Sequence, residues 1–401
     1  MEKAELSHAP RFTYSSVAGN TKVIRVSVEL RARLRRTSAV WTLAFTACVA
    51  SVARAEEPEQ PPSNSQIPAD TGAEDAEKPH RMHDGYTLEA ELDSTYSSNL
   101  YHEQRRRQDS FGQNAPGQRY FGMEGPEDLV NEARVEGSHK WDLGEHRDAK
   151  AALGAGYVFH LQNAIANYFE LGAAFGYDVA RRDRLSLDVE FVPRRFKKNY
   201  AADQIAGSSV YEHAYYREIV VTPAYRHGFT KQLRADLAYE LGVKEFEDPF
   251  KNRDTISHGV ELVVRNEFGR VTPGLGGGAA IGTTPSGIEF GIPVERSYRD
   301  VVLLGLVDVD LPSGFDVGLD VEYRIRHYTT DEPRNDTYFD RTDRRWELGL
   351  ELTKRFGRHF AVLGNLGFVV NETNRQDHPN VAPEDLGYEE LLAGLGCKAA
   401  L

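Results

Sequence analysis

Acidic and basic side chains recur at a spacing of two between residues 85 and 401. In 315–326, Phe315, Val317, Leu319, Val321, Tyr323 and Ile325 alternate with Asp316, Gly318, Asp320, Glu322, Arg324 and Arg326. That spacing collects the charges on one face of an extended strand and the apolar groups on the other. Read the same way, the polar faces gather Glu89, Glu91, Glu132, Arg134, Glu136, Asp188, Glu190, Arg234, Asp236, Glu240, Asp320, Glu322, Arg324, Arg326, Arg345, Glu347 and Glu351. Carboxylates and guanidiniums fixed along one wall can do two things. They can line water and bias which ions pass, or pair with one another and fill the space. The set is acidic but mixed, which tilts the first outcome toward cations.

Other chemistries find less support. A hydrolase at a strand rim needs a Ser/His/Asn or Asp/His set in mutual hydrogen-bond reach. His160, His213 and His327 fall near strand ends beside acidic loops, but nothing singles them out. No catalytic residue is assigned and no enzyme is expected. The glycine run 274–278 has neither a Lys-Ser/Thr pair nor a helix after it, so it reads as strand and not as a phosphate loop. No cysteine spacing suits a metal. No cofactor is expected.

The elements that must position these charges follow from the alternation. Fourteen strands are predicted near 85–96, 128–141, 149–161, 168–179, 184–193, 210–226, 232–244, 255–266, 271–282, 297–311, 315–328, 343–355, 359–371 and 388–401. Short connections at 142–148, 180–183, 227–231, 267–270, 312–314 and 355–358 alternate with longer ones at 97–127, 162–167, 194–209, 245–254, 283–296, 329–342 and 371–387. Aromatic residues fall at two levels: Trp141, Tyr177, Tyr225, Phe315 and Phe360 beside the short turns, and Phe159, Phe169, Phe191, Tyr323, Trp346 and Phe368 toward the long loops. Five positions fit poorly. Pro223 and Pro273 lie within strands, where a ladder donor is missing; His139, His258 and Arg217 land among apolar neighbours, and Arg217 hints at a register slip in the sixth strand. Inward glycines such as Gly156, Gly176, Gly349 and Gly396 leave room for curvature or for a loop.

The N-terminal part differs. Arg31, Arg33, Arg35 and Arg36 precede an apolar stretch at 38–53 that ends in Ala53-Arg54-Ala55, the pattern of a secretory signal peptide cleaved after Ala55. Residues 56–84 are rich in Glu, Pro, Ser and Asp and read as a disordered leader. The chain therefore divides into an N-terminal extension with signal at 1–55, a leader at 56–84 and a strand domain at 85–401. Residues 1–55 hold nine Lys/Arg and three Asp/Glu, so the remainder carries a formal charge of −19. Such a surface opposes nucleic-acid binding. Cys48 leaves with the signal, so Cys397 is expected to stand alone.

With a mean hydropathy of −0.52 and no apolar run of about 20 residues after residue 55, a helical membrane protein is excluded. Alternation over about ten residues, short turns at one end, long loops at the other and two aromatic levels resemble Gram-negative outer-membrane β-barrels of the porin-like kind. The terminal strand, with Leu391, Ala393, Leu395, Cys397, Ala399 and Leu401 on one face, resembles the segment read by the barrel assembly machinery, although that family usually ends in Phe. The resemblance implies an all-β transmembrane antiparallel up-and-down barrel with both termini periplasmic. It further implies a channel for small polar solutes, or else a partner-dependent barrel for export or envelope assembly. Outer-membrane lipid is the expected surroundings. Arg105, Arg106, Arg107, Arg194, Arg195, Lys197 and Lys198 lie where lipopolysaccharide phosphates would be, and loop 97–127 is the one best placed to fold into the lumen.

Overall fold

The computed structural model describes residues 85–102, 120–144, 147–201, 211–289, 292–330, 338–357, 359–375 and 387–400. The extension, signal and leader, together with Arg105 to Arg107 and Leu401, lie outside them. Fourteen antiparallel strands close on themselves: Gly85–Ser97 (β1), Asp128–Asp142 (β2), Asp148–His160 (β3), Tyr168–Ala180 (β4), Asp183–Ala201 (β5), Tyr211–Gly228 (β6), Leu233–Phe246 (β7), Thr255–Asn266 (β8), Val271–Thr283 (β9), Tyr298–Leu311 (β12), Phe315–Tyr328 (β13), Arg341–Phe356 (β14), Phe360–Arg375 (β15) and Tyr388–Ala400 (β16). Gly287–Glu289 (β10) and Ile292–Val294 (β11) form a separate two-stranded sheet inside a segment expected to be plain loop. β1 pairs with β16 along nine residues, so the barrel has no edge.

The short turns are built from residues that tolerate a left-handed backbone. At 312–314, Ser313 (φ 65°) and Gly314 (φ 75°) are consecutive left-handed residues, and Gly269 (φ 65°) serves the turn between β8 and β9. Both described ends of the chain, Gly85 and Ala400, sit at this short-turn end.

Alternation sorts the two faces. Leu319, Leu350 and Leu366 stand side by side across β13, β14 and β15 and are 41%, 42% and 54% exposed. Val135, Leu153, Phe175, Leu262, Leu275, Val301 and Leu303 extend this exposed apolar belt round the barrel. A water-facing sheet could not leave such a surface open; hydrocarbon makes it favourable. The belt is bounded by aromatics. Tyr323 packs on Trp346 at 4.4 Å at one border, and Phe356 meets Phe360 at 5.9 Å at the other.

The poorly fitting positions have local explanations. His139 lies between Tyr86 (4.2 Å) and Trp141 (4.5 Å) and becomes part of the short-turn aromatic border. His258 Nδ1 is 2.6 Å from the Tyr239 hydroxyl. Arg217 pairs with Glu245, its direct neighbour in the ladder, and the irregularity it hinted at lies in β5, where register shifts between Val192 and Arg195. Pro223 falls in a gap of the β6–β7 ladder between Val221 and Ala224, and Pro273 just past the end of the β8–β9 ladder, so neither removes a bond that is otherwise made.

One expectation needs correction. Residues 194–201 are not loop: β5 continues to Ala201 beside β6 through two bulges, a bend that Pro193 and four cations disguise. Cys48, whose removal underlies the expectation of a lone Cys397, lies outside the described residues.

Candidate functional site: a lumen sorted by charge

The candidate residues alternate with the apolar belt and so face the barrel interior. Their levels depend on tilt. Following ladder partners from Glu89 through Glu136, Gly154, Gly172, Glu190 and Val220 and on around the wall climbs about sixteen residues per circuit, which for fourteen strands means a tilt of about 40° and a radius of roughly 13 Å. Corrected for that climb, the inner wall has three tiers.

At the short-turn end stand Glu89, Glu136, Arg234 and Asp236. Cations and carboxylates there form a ring of pairs: Lys140 with Asp148 (2.7 Å), Arg184 with Asp178 (3.5 Å), Arg226 with Asp236 (2.5 Å), Arg265 with Asp308 (3.4 Å), Arg355 with Asp316 (3.1 Å) and Lys398 with Glu89 (2.6 Å). Half-way up lie Glu91, Glu132, Asp188, Glu190, Glu240, Asp320, Glu322, Glu347 and Glu351. Arg134, 3.9 Å from Glu170, is the cation on this tier among the described residues. Carboxylates neighbour carboxylates here: Glu170 feels Glu132 and Glu190, Glu261 feels Glu322 and Glu240, and Asp320 feels Glu322 and Glu351. Glu261 was missed in the sequence, although it lies four residues before Arg265 on the same face.

The long-loop tier is arginine and tyrosine. Arg326 grips both oxygens of Asp300 at 2.8 Å and lies 3.7 Å over the Tyr298 ring. Arg341 does the same with Asp343 at 2.7 Å, which also accepts from Thr373 Oγ1 at 2.8 Å. Arg195 sits 4.4 Å over Tyr168 and Arg253 3.5 Å over Tyr200. Arg324 and Arg345 complete the tier. Asp300, Asp343, Glu390 and Tyr388 escaped sequence reasoning because strand ends, unlike strand centres, carry no clear alternation. Arg194 holds Glu247 at 2.7 and 3.1 Å and covers Tyr215.

The described ends of loop 97–127 do enter the mouth. His102 stacks on Tyr388 (4.7 Å, 4°), with its Nε2 3.2 Å from Glu390 Oε2, and Ser97 donates to Glu390 at 2.6 Å. Tyr101, Tyr120 and Met123 bury against Phe196 and Ala166. At the inward glycines the room is taken by a neighbour's side chain. A Cβ at Gly176 would meet the Arg184 guanidinium, one at Gly349 the Asp320 carboxylate and one at Gly396 that of Asp93. They let a neighbour's charged group lie flat across the wall.

The rim histidines are scattered. His160 Nδ1 is 3.5 Å from Asp128, His213 Nδ1 is 2.6 Å from Asn199 Oδ1 and stacks on Phe121, and His327 Nδ1 is 3.2 Å from Thr342 Oγ1. They lie on different strands and do not converge. Among the described residues no group of three or more His, Cys, Asp or Glu could hold a metal.

No family model and no curated protein matches the chain. Solved structures do resemble it. An anion-selective porin from Comamonas acidovorans aligns over 80% of this chain and 100% of its own at 11% identity (TM-score 0.38). Pseudomonas aeruginosa OprD aligns over 79% and 95% at 12% identity (TM-score 0.36). A Pseudomonas aeruginosa FadL homologue aligns over 78% and 90% at 10% identity (TM-score 0.41). At these identities the likeness reaches the fold alone.

Proposed function

We propose that the chain is an outer-membrane channel for small polar solutes with a mild preference for cations. The half-way tier of carboxylates supports this reading. Fixed negative charge around a water-lined passage raises the local concentration of cations and lowers that of anions. In this reading the short-turn end, with both described termini, faces the periplasm and the long loops face outward. Lipid surrounds the belt, lipopolysaccharide meets the outer rim and the assembly machinery inserts the barrel.

The test is conductance of the purified barrel in a planar bilayer under a potassium chloride gradient. A reversal potential of cation-selective sign is expected, and Glu322→Gln combined with Glu347→Gln moves it toward zero. Channels of anion-selective sign would refute the preference. A complete absence of channels would defeat the channel reading in favour of a partner-dependent export or assembly barrel.

A further inference from the structure

Arg324 of β13 stands directly across from Arg345 of β14 in the ladder. They are 7% and 6% exposed. Like charges facing each other across two strands destabilise a sheet unless something compensates. Part of the compensation comes from below: Arg324 Nη2 lies 2.8 Å from Glu322 and Arg345 Nη2 2.9 Å from Glu347, and these glutamates also face each other. Arg324 Nη1 reaches Asp300 at 3.9 Å.

The compensation is incomplete at Arg345. Arg345 Nε is buried without a hydrogen-bond partner. The same row continues through Asn371 of β15 to Tyr388 of β16, whose hydroxyl is also buried without a partner. Asn371, between them, donates its amide to Thr373. Two buried donors, one on a guanidinium, are thus unused on one row beside a second guanidinium. A donor left so costs free energy that an acceptor would recover, and the Nε edge of arginine matches a carboxylate.

We propose that Arg345 and Tyr388, with Arg324 adding charge, hold the carboxylate of a small zwitterionic solute whose cationic end rests against Glu322 and Glu347. The arginine and glutamate rows are two residues apart along each strand, about 6.8 Å. That suits a solute with its two charges several bonds apart. The small exposure of the arginines makes each such hydrogen bond stronger than it would be in open water. The inference deepens the channel reading and rests on it for the solute's route, but the site itself is measurable without conduction.

Titration calorimetry on the folded, detergent-solubilised barrel provides the test, in low-chloride buffer with γ-aminobutyrate, butyrate and butylamine as probes. The zwitterion should bind more tightly than either single-ended analogue. Arg345→Gln should weaken it about tenfold or more, and Tyr388→Phe, which keeps the ring under His102, several-fold. Glu347→Gln should weaken the zwitterion relative to butyrate. Heat-dependent migration on a gel confirms that each variant is folded. Equal binding of zwitterion and butyrate, or no loss in both Arg345→Gln and Tyr388→Phe, overturns the site. Binding by a barrel that forms no channels would sustain the site and sink the channel reading; channels without binding would do the reverse.

Discussion

Leu350→Arg tests the membrane-facing assignment at a single position. Leu350 is 42% exposed, flanked in the ladder by Leu319 and Leu366 and far from both aromatic borders. In a sheet facing water, the change would alter stability by no more than about 0.5 kcal/mol. At the middle of a lipid-facing belt, a guanidinium costs about 3 kcal/mol, a hundredfold or more in the folding equilibrium. The internal control is one residue away: Glu351→Arg points into the lumen beside Gly318 and should cost far less. Urea unfolding from phospholipid vesicles, read by tryptophan fluorescence, measures both. Equal losses for the two variants, or a loss under about 1 kcal/mol for Leu350→Arg, would refute the assignment of faces.

Further outcomes follow from the mouth and the seam. Asn163 is fully buried; its side chain accepts from Glu124 N (2.9 Å) and donates to Asp128 Oδ2 (2.9 Å), so Asn163→Ala should cost about 1–3 kcal/mol and raise hydrogen exchange at Glu124, while unchanged exchange would count against the network. Gly396→Val places a branched side chain on Asp93 across the β1–β16 seam and should reduce the fraction of compact, heat-modifiable barrel; a normal yield would show that the seam can give. Burial of the His102 ring pushes its pKa below the ordinary value, with Glu390 partly offsetting. Its folded-state pKa being depressed, the docked loop is most stable above the unfolded histidine value and loosens as pH falls through it. A titration of the His102 ring resonances with a midpoint above the ordinary value would contradict this.

Much of the fold was legible because two solvents write their preferences residue by residue. Both limits of Phe315–Tyr328 and of Thr255–Asn266 coincide with the strands read from alternation alone. The sixth strand's oddity at Arg217 was real but belonged to its neighbour, since a bulge in β5 leaves its trace in the partner. The upper part of β5 was illegible for a different reason: Pro193, Arg194, Arg195, Lys197 and Lys198 have loop composition, and what keeps them extended is Glu247, Tyr168 and the β6 ladder. Alternation likewise gave the inward face of Glu322, Arg324, Glu347 and Arg345 but not their level. Level depends on the stagger between strands, which is set by pairing and not by any one segment. The three tiers therefore emerge only once the barrel closes.

The seam between β1 and β16 carries a temporal consequence. Of the described strands β16 is the last to be synthesised and closes the cylinder against β1, so without it the sheet is open, with two bare rims of amide and carbonyl groups. In hydrocarbon those rims are untenable. A sheet facing hydrocarbon must then hold β16 against β1, and Lys398, reaching Glu89 across the join, is one of the contacts that fasten the two.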